Sequence, residues 1–359
     1  MYFISALYEC EINEEGKGAL QGWLSLEPWT IYPSQGESVY CSTISGRNLG
    51  LLKNRGALRR VASLIKRPIR QIPDAMYNPP IESPAYAQDS GPVVAIDEAH
   101  FNFHTMEGRY QPFAELLRRD GYIVCPSRSE FSTKNLEGVK ILVAANALAE
   151  RNRNEQDWSL PTPSAFSEEE ITAVRRWVEK GGSLLLIADH MPWPGAAEKL
   201  AAAFGIHMNN GFALREGAGD STLVFRRLDG SLADHPISNG RTATERVDSV
   251  ATFTGSAFQV DENKNAQPLL ILGSDVVSIM PTVAWQFAPE TPRVPVGGWY
   301  QGAVLRFGDG RVAAFGEAAM FSAQLRGRKR EPMGMNDPIA AENFQFVLNL
   351  ARWLSGLLG

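Results

Sequence analysis

Residues 183–193, SLLLIADHMPW, decide the fold. The run Ser183–Ala188 is short and apolar after its first residue, as expected of a strand buried on both faces. Before it, Ser167 followed by Glu168-Glu169-Glu170 marks a helix start, with acids near the positive end of the helix dipole. That helix runs through Ile171, Val174 and Val178 and stops at Gly181-Gly182. After the strand, Gly195 to Phe204 is an alanine-rich helix closed by Gly205.

The same alternation extends in both directions. Upstream, Val93–Ile96 predicts a strand, and Phe113, Leu116 and Leu117 give Tyr110–Arg119 a helical period that Gly121 stops. Tyr122–Val124 and Val139–Ala145 predict two more strands. Repeated β-α-β units predict an α/β fold with a mostly parallel sheet and helices on both faces. Downstream, Leu223–Val260 carries short β-like runs, a β-rich extension. Leu269–Leu272, Gly302–Phe307 and Val312–Phe315 read as strands, the last two joined by a turn at Gly308-Asp309-Gly310. Asn343–Leu358 reads as a closing amphipathic helix.

Residues 1–90 differ in texture and read as an irregular, basic and proline-rich leader and linker, with the α/β domain spanning 91–359. Eight Lys and Arg and no acid lie between Arg47 and Arg70, without the interleaved aromatics that would stack bases. The net charge of −5 also argues against a nucleic-acid partner. No stretch reaches the ~18–20 apolar residues of a membrane helix, so no membrane partner is expected. No charged and apolar leader marks a standard signal peptide, whereas Ala85-Tyr86-Ala87 resembles a small-residue cleavage site, leaving cytoplasmic and exported locations both open. Cys10, Cys41 and Cys125 form no CxxC and no disulfide framework, and Cys125 reads as a buried strand-end thiol.

In an open parallel sheet, ligands bind at the carboxyl ends of the strands. Asp97, Glu98, His100 and His104 follow the first predicted strand, Asn146 the third, Asp189, His190 and Trp193 the fourth, and Glu317 the last. Two chemistries fit. Asp97, His100, His104 and His190 could hold a divalent metal, zinc suiting mixed imidazole and carboxylate ligands best, with His100 and His104 on one helix face. Alternatively, without a metal, Glu98 or Glu317 is the general base and His190 the acid, or the base for a serine, with Asp189 in the same site. A third account makes each residue a helix cap or a partner in a buried hydrogen bond. Asn146 and Trp193 would line a substrate pocket. His207 and His235 read as structural, and Trp177, Trp285 and Trp353 as core. No GxSxG elbow and no P-loop is present.

The order VVAIDEAHFNFH, GYIV, VKILVAANA, FSEEEITAVRRWVEKGGSLLLIADH, FGI, HPI and GRVAAFGEAAMF resembles the DUF4350 family over about 91–358. That family belongs to the class I glutamine-amidotransferase-like superfamily, with the ThuA-like proteins and the amidotransferase-like domain of intraflagellar transport proteins. The resemblance implies a flavodoxin-like sheet. Classical amidotransferases place a cysteine after the strand that is Ser183–Ala188 here, where this chain has Asp189-His190, so a cysteine thioester is not implied. The expected function is hydrolysis of an ester, amide or glycosidic bond in a small-molecule substrate. The alternative is a non-catalytic domain binding a small molecule or carbohydrate. The oligomeric state is not legible.

Overall fold

The computed structural model describes residues 71–217 and 222–359. Cys10, Cys41 and the basic stretch from Arg47 to Arg70 lie outside the described residues. The strands are β1 (Gln71–Pro73), β2 (Val93–Asp97), β3 (Ile123–Ser127), β4 (Val139–Ala145), β5 (Ser183–Ile187), β6 (Ile206–Met208), β7 (Phe212–Arg215), β8 (Leu223–Arg226) and β9 (Ser249–Thr252). They continue as β10 (Phe258–Val260), β11 (Gln267–Ile271), β12 (Val276–Ile279), β13 (Arg293–Pro295), β14 (Tyr300–Phe307), β15 (Gly310–Phe315), β16 (Ala323–Arg326) and β17 (Glu331–Gly334). The helices are α1 (Gln111–Arg119), α2 (Glu168–Glu179), α3 (Trp193–Ala202), the single turn α4 (Pro236–Asn239) and α5 (Asn343–Ser355).

The central sheet has nine strands in the order β3-β2-β4-β5-β15-β14-β10-β6, with β11 also paired to β14. The first five are parallel to one another. In chain order they run second, first, third, fourth, fifth, which is the flavodoxin-like order, and its switch point falls between β2 and β4. The remaining strands of this sheet are antiparallel, and three small antiparallel sheets surround it.

Alternation along β5 shows why its run had to be apolar throughout. Leu184 and Leu186 pack with Ile171, Val174 and Leu200 of α2 and α3. Leu185 and Ile187 pack with Phe113, Leu116, Phe346 and Leu350 of α1 and α5 on the other face. Ser167 caps α2 in a full capping box with Glu170. At the β14–β15 hairpin, Phe307 pairs with Gly310 across Gly308 and Asp309, and Gly308 takes the positive φ that such a turn requires.

Three expectations are corrected. Residues 100–104 are not helical: Phe101 has φ +45, which ends any helix there, and α1 starts only at Gln111. Trp285 is not a core residue but 53% exposed. The proline-rich stretch is not an extended linker but a series of turns and bends, closed by Tyr77 N–H to Asp74 O and Ser90 N–H to Ala87 O and tied to the rest of the chain. Gln71–Pro73 pairs with Gln324–Arg326, the Arg119 guanidinium donates to Pro79 O, and the Ala85 N–H donates to Asp120. Behind it, Arg352 is 1% exposed and ion-paired to Asp120 at 2.6 Å and Glu245 at 2.9 Å. Among the described residues, no helix is long and apolar enough to cross a membrane.

Candidate functional site

The parallel strands bring Asp97, Asn146, Asp189 and Glu317 to one edge of the sheet, as their places after β2, β4, β5 and β15 require. All four are buried. Their side chains resolve into separate pieces of bonding.

His100 is clamped between carboxylates. Its Nδ1 lies 2.9 Å from both oxygens of Asp97, and its Nε2 lies 2.8 Å from Glu170 Oε1. Burial alone would lower its pKa, but the hydrogen bonds and charges of Asp97 and Glu170 outweigh that and hold it above the usual value. With a proton on each nitrogen, His100 has no lone pair for a metal or a substrate. Glu170 also accepts the Phe131 N–H at 2.9 Å and the Ser167 N–H at 3.0 Å. In the sequence it read only as a helix-start acid, and the Ser-x-x-Glu capping signature was the one trace of its second role.

Asn146 ties the next two loops together. Its backbone sits at φ +47, which asparagine tolerates better than most residues. Its side-chain amide donates to His104 Nδ1 at 3.2 Å, and its oxygen accepts the Asp189 N–H at 2.9 Å. His104 is pressed against Tyr110 and Phe103, and burial pushes its pKa well down, with the nearby Arg109 charge adding to the effect. Asn146 is thus a bridge between loops rather than a pocket wall.

Asp189 and Glu317 form a buried carboxyl pair. Burial raises Asp189 to about 7, against hydrogen bonds from the His190 and Ala318 backbones. Burial and the Asp189 charge hold Glu317 well above the usual carboxylate range. Glu317 nevertheless accepts the Ala319 and Met320 N–H groups at 2.8 and 2.7 Å. Glu98 stands apart, accepting the Met106 N–H at 2.9 Å and pairing with Arg128 at 3.1 Å.

His190 donates from Nδ1 to Met191 O at 2.7 Å, and burial drops its pKa to about 3. It is therefore neutral, and its Nε2 has no hydrogen-bond partner among the described residues. Around it stand Phe212, stacked at 4.4 Å, Trp285 at 4.5 Å and Trp193 at 4.7 Å. Trp193 continues to Trp158 at 4.7 Å and Phe103 at 5.2 Å. Sequence reading found Trp193 but missed Phe103, Arg109 and Trp158, which lie in loops, and Phe212, which opens β7, and it took Trp285 for a core residue.

The expected metal set is divided. Asp97 and His100 pair with each other, the Nδ1 of His104 is taken by Asn146, and His190 keeps its Nε2 without a hydrogen-bond partner among the described residues. Among the described residues, no group of three or more His, Cys, Asp or Glu side chains is arranged to hold a metal ion. A divalent ion does not fit these residues, since two of the three imidazoles already spend a needed lone pair or proton elsewhere. Cys125 is no substitute nucleophile: it lies 3.8 Å from Val94 O, and burial raises its thiol. His235 caps α4 through Nδ1, and His207 pairs with Asp261 at the surface.

The strand order and the antiparallel extension define a flavodoxin-like α/β domain. The chain is similar to the mmIFT52 N-terminal domain, at 14% identity over 73% of this chain and 96% of that domain, with a TM-score of 0.50. A ThuA-like protein from Bacteroides uniformis matches at 12% identity over 78% of this chain and 94% of that one, with a TM-score of 0.41. A β-galactosidase from Bacillus circulans sp. alkalophilus matches at 10% identity over 74% of this chain but 31% of its own, with a TM-score of 0.37. Likeness at such identity speaks for the fold alone. No family model matches the sequence, and no curated protein matches it.

Proposed function

We propose that this domain binds a small ring-shaped ligand, a carbohydrate or a compound of similar shape, at the carboxyl edge of its sheet without transforming it. One observation carries the reading. The neutral His190, with Nε2 unpartnered, sits at the base of an aromatic group whose outer members, Trp285 and Phe287, are 53% and 42% exposed. Large aromatic faces at a surface are costly unless something covers them. Trp285 is also held at φ +65, a conformation unfavourable for a bulky residue and concentrated at functional sites. Against turnover stands the engagement of Asp97, Glu98, His100 and Glu317 in local bonds. Titrating the full chain with neutral and acidic mono- and disaccharides, followed by tryptophan fluorescence, tests this. A saturable change lost in Trp285→Ala is expected; silence across the panel sinks it.

A hydrolase remains the second reading, favoured by the Asp189–Glu317 pair. A carboxyl group raised to about 7 beside a second raised carboxyl is suited to general acid–base work on an ester, amide or glycoside. Turnover of any such substrate, abolished in Asp189→Asn, would replace the binding reading with this one. Membership of the DUF4350 family belongs to the same proposal and rests on the residue runs quoted above.

A further inference from the structure

Three hydrogen-bond donors beside this aromatic group have no acceptor. Trp158 and Trp193 are 6% and 2% exposed, and the indole Nε1 of each is buried without a partner. Arg109 Nε is buried and unpartnered as well. The three side chains converge on Phe103. Trp158 lies 5.6 Å and Trp193 5.2 Å from its ring, and the Arg109 guanidinium sits 3.6 Å above it. Arg109 and Trp158 arrive on the loops after β2 and β4, the two strands that flank the switch point of the sheet, and Trp193 opens α3 after β5.

Arg109 is the odd member of the charge pattern. Its Nη1 donates to Phe103 O at 3.0 Å, but it makes no ion pair with any described residue. Burial disfavours its charge, and the exposed Glu155 offsets this only from a distance. A desolvated guanidinium normally finds a carboxylate. Here the neighbouring acids are committed elsewhere: Asp97 to His100 and Asn102, and Glu98 to Arg128 and the Met106 N–H. His104 and His190 add no negative charge. The result is a cation with two indole N–H groups and no internal anion.

We propose that Arg109, Trp158 and Trp193 form an acid subsite, which takes the carboxylate of the ligand while its ring lies toward Trp285. This rests on the binding reading above and narrows it to sugar acids and similar ring carboxylates. A carboxylate supplies the acceptors that the three donors lack, and a charge-assisted bond to guanidinium is the strongest of them. A neutral hydroxymethyl group at the same place would satisfy two of the three donors at most and leave the cation without a counter-charge.

Calorimetric titration of the full chain with D-glucuronate, its methyl ester and D-glucose tests this. The expected result is glucuronate binding at least about tenfold tighter than either neutral compound, with the advantage shrinking as salt rises. Arg109→Gln is expected to erase that advantage while keeping the weaker neutral binding. Trp193→Phe, which keeps a ring and removes the N–H, is expected to weaken glucuronate more than glucose. Equal affinity for acid and ester, or an advantage that survives in Arg109→Gln, overturns the acid subsite and leaves the binding reading standing. Binding of none of the three overturns both. The acid–ester comparison on the unaltered protein decides the matter even if a variant does not fold.

Discussion

The imidazole Nδ1 of His100 lies 2.9 Å from both carboxylate oxygens of Asp97. With Glu170 on its other nitrogen, this makes a buried three-member ion group joining the β2 loop to the start of α2. A buried group of this kind is strongly destabilised when one partner is removed, because the others stay behind without compensation.

His100→Ala is therefore expected to cost about 3 kcal/mol in unfolding free energy, measured by urea denaturation at neutral pH. The pH dependence follows from the direction of the shift. His100 is raised above 6.5, so its contribution is complete below that value and is lost as pH rises through the folded-state pKa. Glu170 is depressed below 4.5, so its contribution is lost only as pH falls through its own folded value. The stability gap between wild type and variant should narrow on the alkaline side; a gap that widens there would contradict the clamp.

Asp189 acts in the opposite sense for a carboxyl group. Raised from 3.8 to about 7, it binds its proton more tightly folded than unfolded, so stability falls as pH climbs between those values. Asp189→Asn removes this dependence and can keep accepting the His190 N–H. The variant should be more stable than wild type by roughly 1–4 kcal/mol at pH about 8, and the two should converge in acid. Thermal melts across that range measure it.

Gly310→Ala should be more damaging than most glycine changes in this chain. A Cβ there would meet the backbone oxygens of Val178 and Gly182, where neither α2 nor β5 has room to give. Gly182→Ala would meet the ring of Trp177, a half-buried side chain that can turn aside. Losses of about 3 kcal/mol and about 1 kcal/mol are expected, from overpacking against backbone and side chain respectively. Denaturation midpoints of the two variants give the comparison, and equal losses would count against this packing.

Trp285→Ala separates function from fold. The ring is half exposed, so stability should change by no more than about 1 kcal/mol, helped by any relief of its positive φ. Ligand-induced fluorescence change, in contrast, should disappear. A large stability loss with binding intact would reassign Trp285 to packing.

Strong periods made most of the fold legible. The apolar runs at Val93–Ile96, Val139–Ala145 and Ser183–Ala188 each became a strand, and Ser167 with Glu170 became the capping box that starts α2. Local steric and burial rules act within a few residues, so they leave a readable trace. The meeting of Asp97, Asn146, Asp189 and Glu317 on one edge was also legible, because parallel strands put all their carboxyl ends on the same side. The pairing within that edge was not. Whether His100 faces a metal or two carboxylates depends on where Glu170 lands, seventy residues away, and a helical spacing of His100 and His104 misled because Phe101 turns the chain left-handed.

By itself, then, the chain's residue pattern determined the alternation of strands and helices, the apolar core on both faces and the edge where polar groups gather. Tertiary structure alone decided which of those groups satisfy each other and which are left over. Hydrogen-bond saturation is a property of three-dimensional neighbours: His100 and Glu317 lost their freedom to partners distant or unpatterned in sequence, while Arg109, Trp158 and Trp193 were left as donors without acceptors.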